Sequence, residues 1–155
     1  MPVHQLCNMI ETGCRAQLRR IAVPYTRMNK QICTVLYEEG LITALQTGDT
    51  QGPFHRGFPV PITPDNVSSR KIWLDLKYRL GESVLKRMRC VSKPSRKVIA
   101  SVDELKVVCG ASQSGLLKPV VAGQVMLINT KELGVVEIKD AIRHECGGEV
   151  LCYAQ

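Results

Sequence analysis

Two groupings in this 155-residue chain carry the residue types of covalent chemistry, and neither is complete. His144-x-Cys146 sets an imidazole two residues from a thiol, but no third residue nearby would orient the histidine as an activated nucleophile needs. Ser83-Val84-Leu85-Lys86 spells S-x-x-K, yet residues three apart on an extended segment point to opposite faces. The seven cysteines, Cys7, Cys14, Cys33, Cys90, Cys109, Cys146 and Cys152, include no C-x-x-C pair, so zinc is not expected. They read as small buried hydrophobes in a reducing compartment. There is no Walker loop, G-x-G-x-x-G or H-E-x-x-H. No catalytic residue, metal, cofactor or small-molecule substrate is therefore expected. A thiol-dependent enzyme using Cys146 with His144 stands as the second reading.

Other residues are suited to binding. Asn129, Thr130 and Lys131 form one polar bend, and Gly147, Gly148 and Glu149 form another. Small residues and backbone amides in such bends allow close approach to an anionic backbone. The net charge of +7 is concentrated: residues 70–97 hold ten Lys/Arg against two Asp/Glu, while the flanking segments come to +1 and −2. A strip of that kind predicts a polyanionic partner. Its cations Lys86, Arg89, Lys93, Arg96 and Lys97 lie around Ser92 and Pro94. Two further groups stay open. Thr26, Arg27 and Lys30 at a helix start are either an anion site or a plain cap among solvated cations. Arg15, Arg19 and Arg20 at a helix end either complement its dipole or touch phosphates.

The positioning elements follow from periodicity and punctuation. Val3, Leu6, Cys7, Ile10, Cys14 and Leu18 recur at helical steps, predicting an amphipathic first helix with the three arginines in its last turn. That helix either packs on the core or acts as a mitochondrial presequence; no secretory signal is visible. Residues 21–23 read as a strand ended by Pro24, and Thr26 caps a second helix closed by Gly40. Residues 41–45 are a strand. Residues 48–69, with Pro53, Pro59, Pro61 and Pro64, predict a long surface excursion, in which Phe54 and Phe58 favour docking. Alternation over residues 72–78 gives a half-buried strand. Gly81 is a turn and the expected boundary between domains 1–81 and 82–155. Residues 83–91 are read as one strand, 92–97 as a basic loop, and Ser101 to Glu104 as a capping box. Val125-Met126-Leu127-Ile128 is a buried strand, 129–134 a turn, 135–138 a strand and 139–145 a short helix stopped by Gly147-Gly148. A last strand covers 149–153. No run of about 20 apolar residues exists, so no membrane span is expected.

Several blocks in order resemble the universal small-subunit ribosomal protein eight family in its bacterial and organellar form. They are Ala22-Val23-Pro24-Tyr25-Thr26-Arg27, Leu36-Tyr37-Glu38-Glu39-Gly40-Leu41-Ile42, Leu74-Asp75-Leu76-Lys77-Tyr78, Val91-Ser92-Lys93-Pro94, Asp103-Glu104-Leu105 and the ending Gly147-Gly148-Glu149-Val150-Leu151-Cys152-Tyr153. Thr63-Pro64-Asp65-Asn66-Val67-Ser68-Ser69-Arg70-Lys71-Ile72-Trp73 looks like an insertion of fungal mitochondrial members.

The resemblance implies an α+β chain: an N-terminal α/β domain of two helices on a small sheet, and a mainly antiparallel β C-terminal domain with short helices. It implies a structural role in the mitochondrial small ribosomal subunit, binding central-domain rRNA beside neighbouring ribosomal proteins. By position, Tyr25, Thr26 and Arg27 stand at one RNA contact, and Arg89, Ser92, Lys93, Pro94 and Arg96 at a basic strand and loop. Asn129, Thr130 and Lys131 match a turn that meets the RNA minor groove, and Gly147, Gly148 and Glu149 a second C-terminal contact. Short polar side chains and amides suit that shallow groove, and cations suit the phosphates. Three departures stand out: Ile128 in place of the first serine of the turn, Glu132-Leu133 lengthening it, and Ser95 in place of a glycine. A free regulatory RNA-binding protein would share the same residues.

Overall fold

Alternating apolar residues in Ile72, Leu74 and Leu76 make β3 (Lys71–Leu76) the centre of a three-stranded antiparallel sheet. It pairs on one side with β1 (Arg20–Pro24), Ile21 opposite Leu74, and on the other with β2 (Ile42–Gly48), Leu45 opposite Leu74. In this computed structural model, which describes residues 2–54 and 60–155, α1 (Val3–Arg15) and α2 (Arg27–Glu38) contribute their apolar faces to the core beneath that sheet. The Thr26 side chain accepts from the Asn29 amide and caps α2, and Gly40 at φ +72° closes it, both as expected.

The first helix is shorter than its periodicity predicts. Ala16 caps α1 and Gln17 turns left-handed at φ +54°, so Leu18 leaves the stripe and stands 48% exposed. Of the three arginines, only Arg15 is in the last turn; Arg20 opens β1 and pairs with Asp75. Phe58 and Pro59 of the excursion lie outside the described residues.

β4 (Tyr78–Arg79) and β5 (Glu82–Ser83) form a hairpin through Leu80 and Gly81, both at positive φ, as a two-residue turn requires. The single strand expected over 83–91 is interrupted. The amides of Lys86 and Arg87 both donate to the Gln155 carbonyl before β6 (Met88–Cys90) begins.

Beyond it come β7 (Ile99–Ala100), α3 (Val102–Cys109), β8 (Val125–Thr130), β9 (Gly134–Glu137), α4 (Ile138–Arg143) and β10 (Gly148–Ala154). The Ser101–Glu104 capping box is present. Strands run β6-β10-β8-β9, antiparallel throughout, with β7 also on β10. Both faces of this sheet are covered. Val125 and Leu127 join the core that contains α1, α2 and the first sheet, while Met126 and Ile128 join a second core with Leu105, Val108, Ile138 and Val150. That two-sided burial explains an unbroken apolar run in β8. A bulge between Val150 and Cys152 lets the successive residues Leu151 and Cys152 serve the same core. The larger core draws on both sides of Gly81, from Leu6 to Ala154.

Burial pushes Cys33 up to about 12, and burial also leads the rise of Cys90 to about 11, so neither is a ready thiolate. Against the expectation of buried cysteines, Cys109 is exposed and Cys90 and Cys146 are half-buried. No helix among the described residues is long and apolar enough to cross a membrane.

Candidate nucleic-acid interface

The two C-terminal bends meet because β10 lies between β7 and β8. Glu149 pairs with Ile99 on one side and Asn129 on the other, and Gly148 pairs with Ala100. Glycine is needed here for close approach. A Cβ on Gly147 would sit 2.8 Å from the Ala100 carbonyl oxygen, and one on Gly148 would press into the Asn129 carbonyl. This corrects their expected role as a left-handed helix stop. The residue that turns left-handed after α4 is Glu145, at φ +53°, and neither glycine has positive φ.

The first bend is also tighter than expected. β8 continues through Asn129 and Thr130, leaving residues 131–133 as the turn, and Ile138 belongs to α4 instead of β9. Thr130 is 4% exposed; its hydroxyl donates to the Gly134 carbonyl at 3.0 Å and accepts from the Leu133 amide at 3.1 Å. Its hydroxyl is thus committed to shaping the turn, while Lys131 is exposed and Asn129 half-buried.

A groove of about 710 Å³ runs between the bends, lined by Asn129, Thr130 and Lys131 on one wall and Gly147, Gly148 and Glu149 on the other, with Lys97 at its edge. Lys97 Nζ lies 3.5 Å from the Glu149 carboxylate, so Glu149 holds a cation beside the bend. Glu132, the carboxylate of the lengthened turn, is 3.6 Å from the Cys146 thiol. Partial burial, and then Glu132, push that thiol up. The Cys146 thiol donates to the backbone carbonyl of His144, not to its imidazole.

A second groove, about 390 Å³, shares Asn129, Thr130, Lys131 and Glu132 with the first and has Arg27, Met28 and Gln31 as its far wall. The start of α2 is thereby joined to the bends across a hundred residues of sequence. Gln31 was not among the sequence candidates. Its spacing of four from Arg27, which places both on one helix face, is the signal that marks it.

The basic loop is a tight hairpin. Lys93 and Arg96 bond each other's backbone at 3.0 and 2.9 Å, and the Ser92 hydroxyl accepts from the Val98 amide at 2.9 Å. Pro94 and Ser95 form its exposed tip, and Ser95 has no positive φ, so the absent glycine leaves no strain. Lys93 and Arg96 border their own cleft, with Val91, Val98 and Leu116. Arg89 is exposed on β6, opposite Tyr153.

The cationic strip does not form one wall. Lys86 lines a separate hollow with Arg15 and is paired with Glu82 at 2.8 Å, while Arg15 is paired with Glu11 at 3.1 Å. Arg19 and Lys30 are exposed, and neither lines the two joined grooves. Tyr25 is half-buried, with the Arg70 guanidinium 5.9 Å from its ring centre. The grooves thus unite Arg27, Lys97 and both bends, and leave Arg15 and Lys86 elsewhere.

The family model of ribosomal protein S8 matches residues 2–154. The chain is 34% identical to small ribosomal subunit protein uS8m of Schizosaccharomyces pombe, covering 98% of each, and 32% identical to uS8m of Neurospora crassa, covering 97% of this chain and 95% of that one. It is 29% identical to bacterial uS8 of Coxiella burnetii over 98% of this chain and 95% of the relative. Match over the whole chain, in the fold these blocks imply, means that the protein belongs to the ribosomal protein S8 family.

Proposed function

We propose that the protein is a structural constituent of the mitochondrial small ribosomal subunit, where it binds central-domain rRNA, supports its assembly and stays in place. The mitochondrial assignment draws on the names of the two fungal relatives. The observation that carries the RNA reading is the pair of joined grooves. Three segments distant in sequence, at Arg27, at Asn129 to Lys131 and at Gly147 to Glu149, line two grooves that share the Asn129 to Glu132 turn as a wall, with Lys97 lining the larger one. Backbone and short polar groups in such a recess suit the wide, shallow minor groove and 2′-hydroxyls of A-form RNA. Lys131, Arg27, Lys97 and the hairpin cations Lys93 and Arg96 would position it through phosphates. Glu149 acts by holding Lys97.

Membership of a ribosomal family makes this a structural protein and not an enzyme. The Cys146 thiol, pushed up and bonded away from the His144 ring, has the opposite of nucleophile activation. Filter binding to central-domain rRNA over a salt series tests the RNA reading; affinity no greater than for competitor RNA would end it. Sedimentation of the chain with the small subunit in a sucrose gradient separates the ribosomal role from that of a free regulatory RNA-binding protein.

A further inference from the structure

Arg70 is the one buried cation among the described residues. It is 6% exposed and forms no ion pair among the described residues. Its guanidinium lies 5.9 Å from the centre of the Tyr25 ring and 5.7 Å from that of Phe54. One terminal nitrogen donates to the Val60 carbonyl and, at 2.9 Å, to that of Pro61, while Nε is buried without a partner among the described residues. The Tyr25 amide donates back to the Arg70 carbonyl at 3.4 Å. A buried charge without a carboxylate is costly, and among the described residues carbonyl dipoles and ring faces offset it. Arginine suits that setting because it is planar and weakly hydrated; lysine is a compact, strongly hydrated point charge.

The place of this cluster matters more than its energy. Tyr25 is the entrance to α2, and Asn29 ties the same entrance from inside by donating to the Pro24 carbonyl at 2.9 Å. We propose that Arg70 is a positioning residue: it locks the base of the 48–70 excursion onto Tyr25 and so holds the start of α2 in its RNA-reading shape. Residues 60–70 then act as a bracket for the first RNA contact, and their folding and RNA binding are coupled through one guanidinium. This rests on the RNA-binding reading above.

The test uses the full chain and a central-domain rRNA fragment, with Arg70→Met, Arg70→Lys and Tyr25→Ala combined in double-mutant cycles. Arg70→Met should weaken binding about fivefold, roughly the ordering cost of a side chain or two. The slope of log affinity against log salt should stay unchanged, because Arg70 would touch no phosphate. Arg70→Lys should not restore affinity, and the effect should vanish in the Tyr25→Ala background. Hydrogen exchange at the Tyr25 amide and in residues 60–69 should quicken. Wild-type affinity in folded Arg70→Met, a slope reduced by about one phosphate contact, or additivity with Tyr25→Ala would each overturn the proposal. If Arg70→Met does not fold, Phe54→Leu removes one ring and leaves the charge. It should lower affinity two- to threefold with the same dependence on Tyr25, and no change would overturn the proposal. Tight rRNA binding that is indifferent to Tyr25→Ala would defeat this inference alone, whereas no specific binding by the wild type would defeat the reading beneath it.

Discussion

Replacing Thr130 with valine keeps the side chain's shape and removes one oxygen. That oxygen joins the Leu133 amide and the Gly134 carbonyl at 3.1 and 3.0 Å in a turn where Thr130 is 4% exposed. Leaving buried polar groups without their partner costs about 1–3 kcal/mol. With a urea m-value of about 2 kcal/mol/M, the unfolding midpoint should fall by roughly 0.5–1.5 M at constant m. Thr130→Ser keeps both bonds and gives up one methyl, about 0.8 kcal/mol, so it should fall between the two. RNA affinity, measured by filter binding, should follow the turn: weakened by valine and largely kept by serine. If the hydroxyl instead touched RNA directly, valine would lose affinity while its unfolding midpoint stayed at the wild-type value. That pattern, or a valine variant unchanged in both assays, would refute the inward-facing role.

Lys93→Ala with Arg96→Ala should lower the salt slope of RNA binding by about 1.4–1.8, at roughly 0.7–0.9 per phosphate released; an unchanged slope would place the hairpin away from the phosphates. Gly147→Ala brings a Cβ to 2.8 Å from the Ala100 carbonyl oxygen. Overpacking of that kind costs about 1–3 kcal/mol, so melting should drop by several degrees, and wild-type melting would show that the bend yields freely. The Cys146 thiol is raised above its ordinary value, partly by Glu132, so less of it is thiolate at a given pH below that value. Its alkylation near pH 7.5 should trail that of exposed Cys109, rise steadily with pH and quicken in Glu132→Gln. Cys146 reacting ahead of Cys109 at neutral pH would contradict the geometry.

Much of the secondary structure was legible because its signals are local. The Thr26 cap, the Gly40 stop, the Ser101–Glu104 box and the alternation of β3 each depend on neighbours within a few residues. Two misreadings share one cause. Leu18 continues the helical period of α1, but Gln17 ends the helix so that the chain can reach β1; residues 83–91 look like one strand until Lys86 and Arg87 turn to bind Gln155. In both places a distant partner overrides local preference.

By itself the sequence determined most of the local elements, the apolar run that becomes β8, and an excess of positive charge large enough to call for a polyanion, while the α+β class came through its resemblance to a family. Only the tertiary structure decided which cations share a recess with the bends, since Arg27 and Lys97 reach it while Lys86 is paired with Glu82 elsewhere. It also turned the Thr130 hydroxyl inward and gave Gly147 and Gly148 a steric purpose in place of a conformational one. The physical reason is that propensity, capping and charge content are properties of short windows. Close approach and pairing depend instead on which backbone atoms of remote strands arrive within a few ångströms of each other.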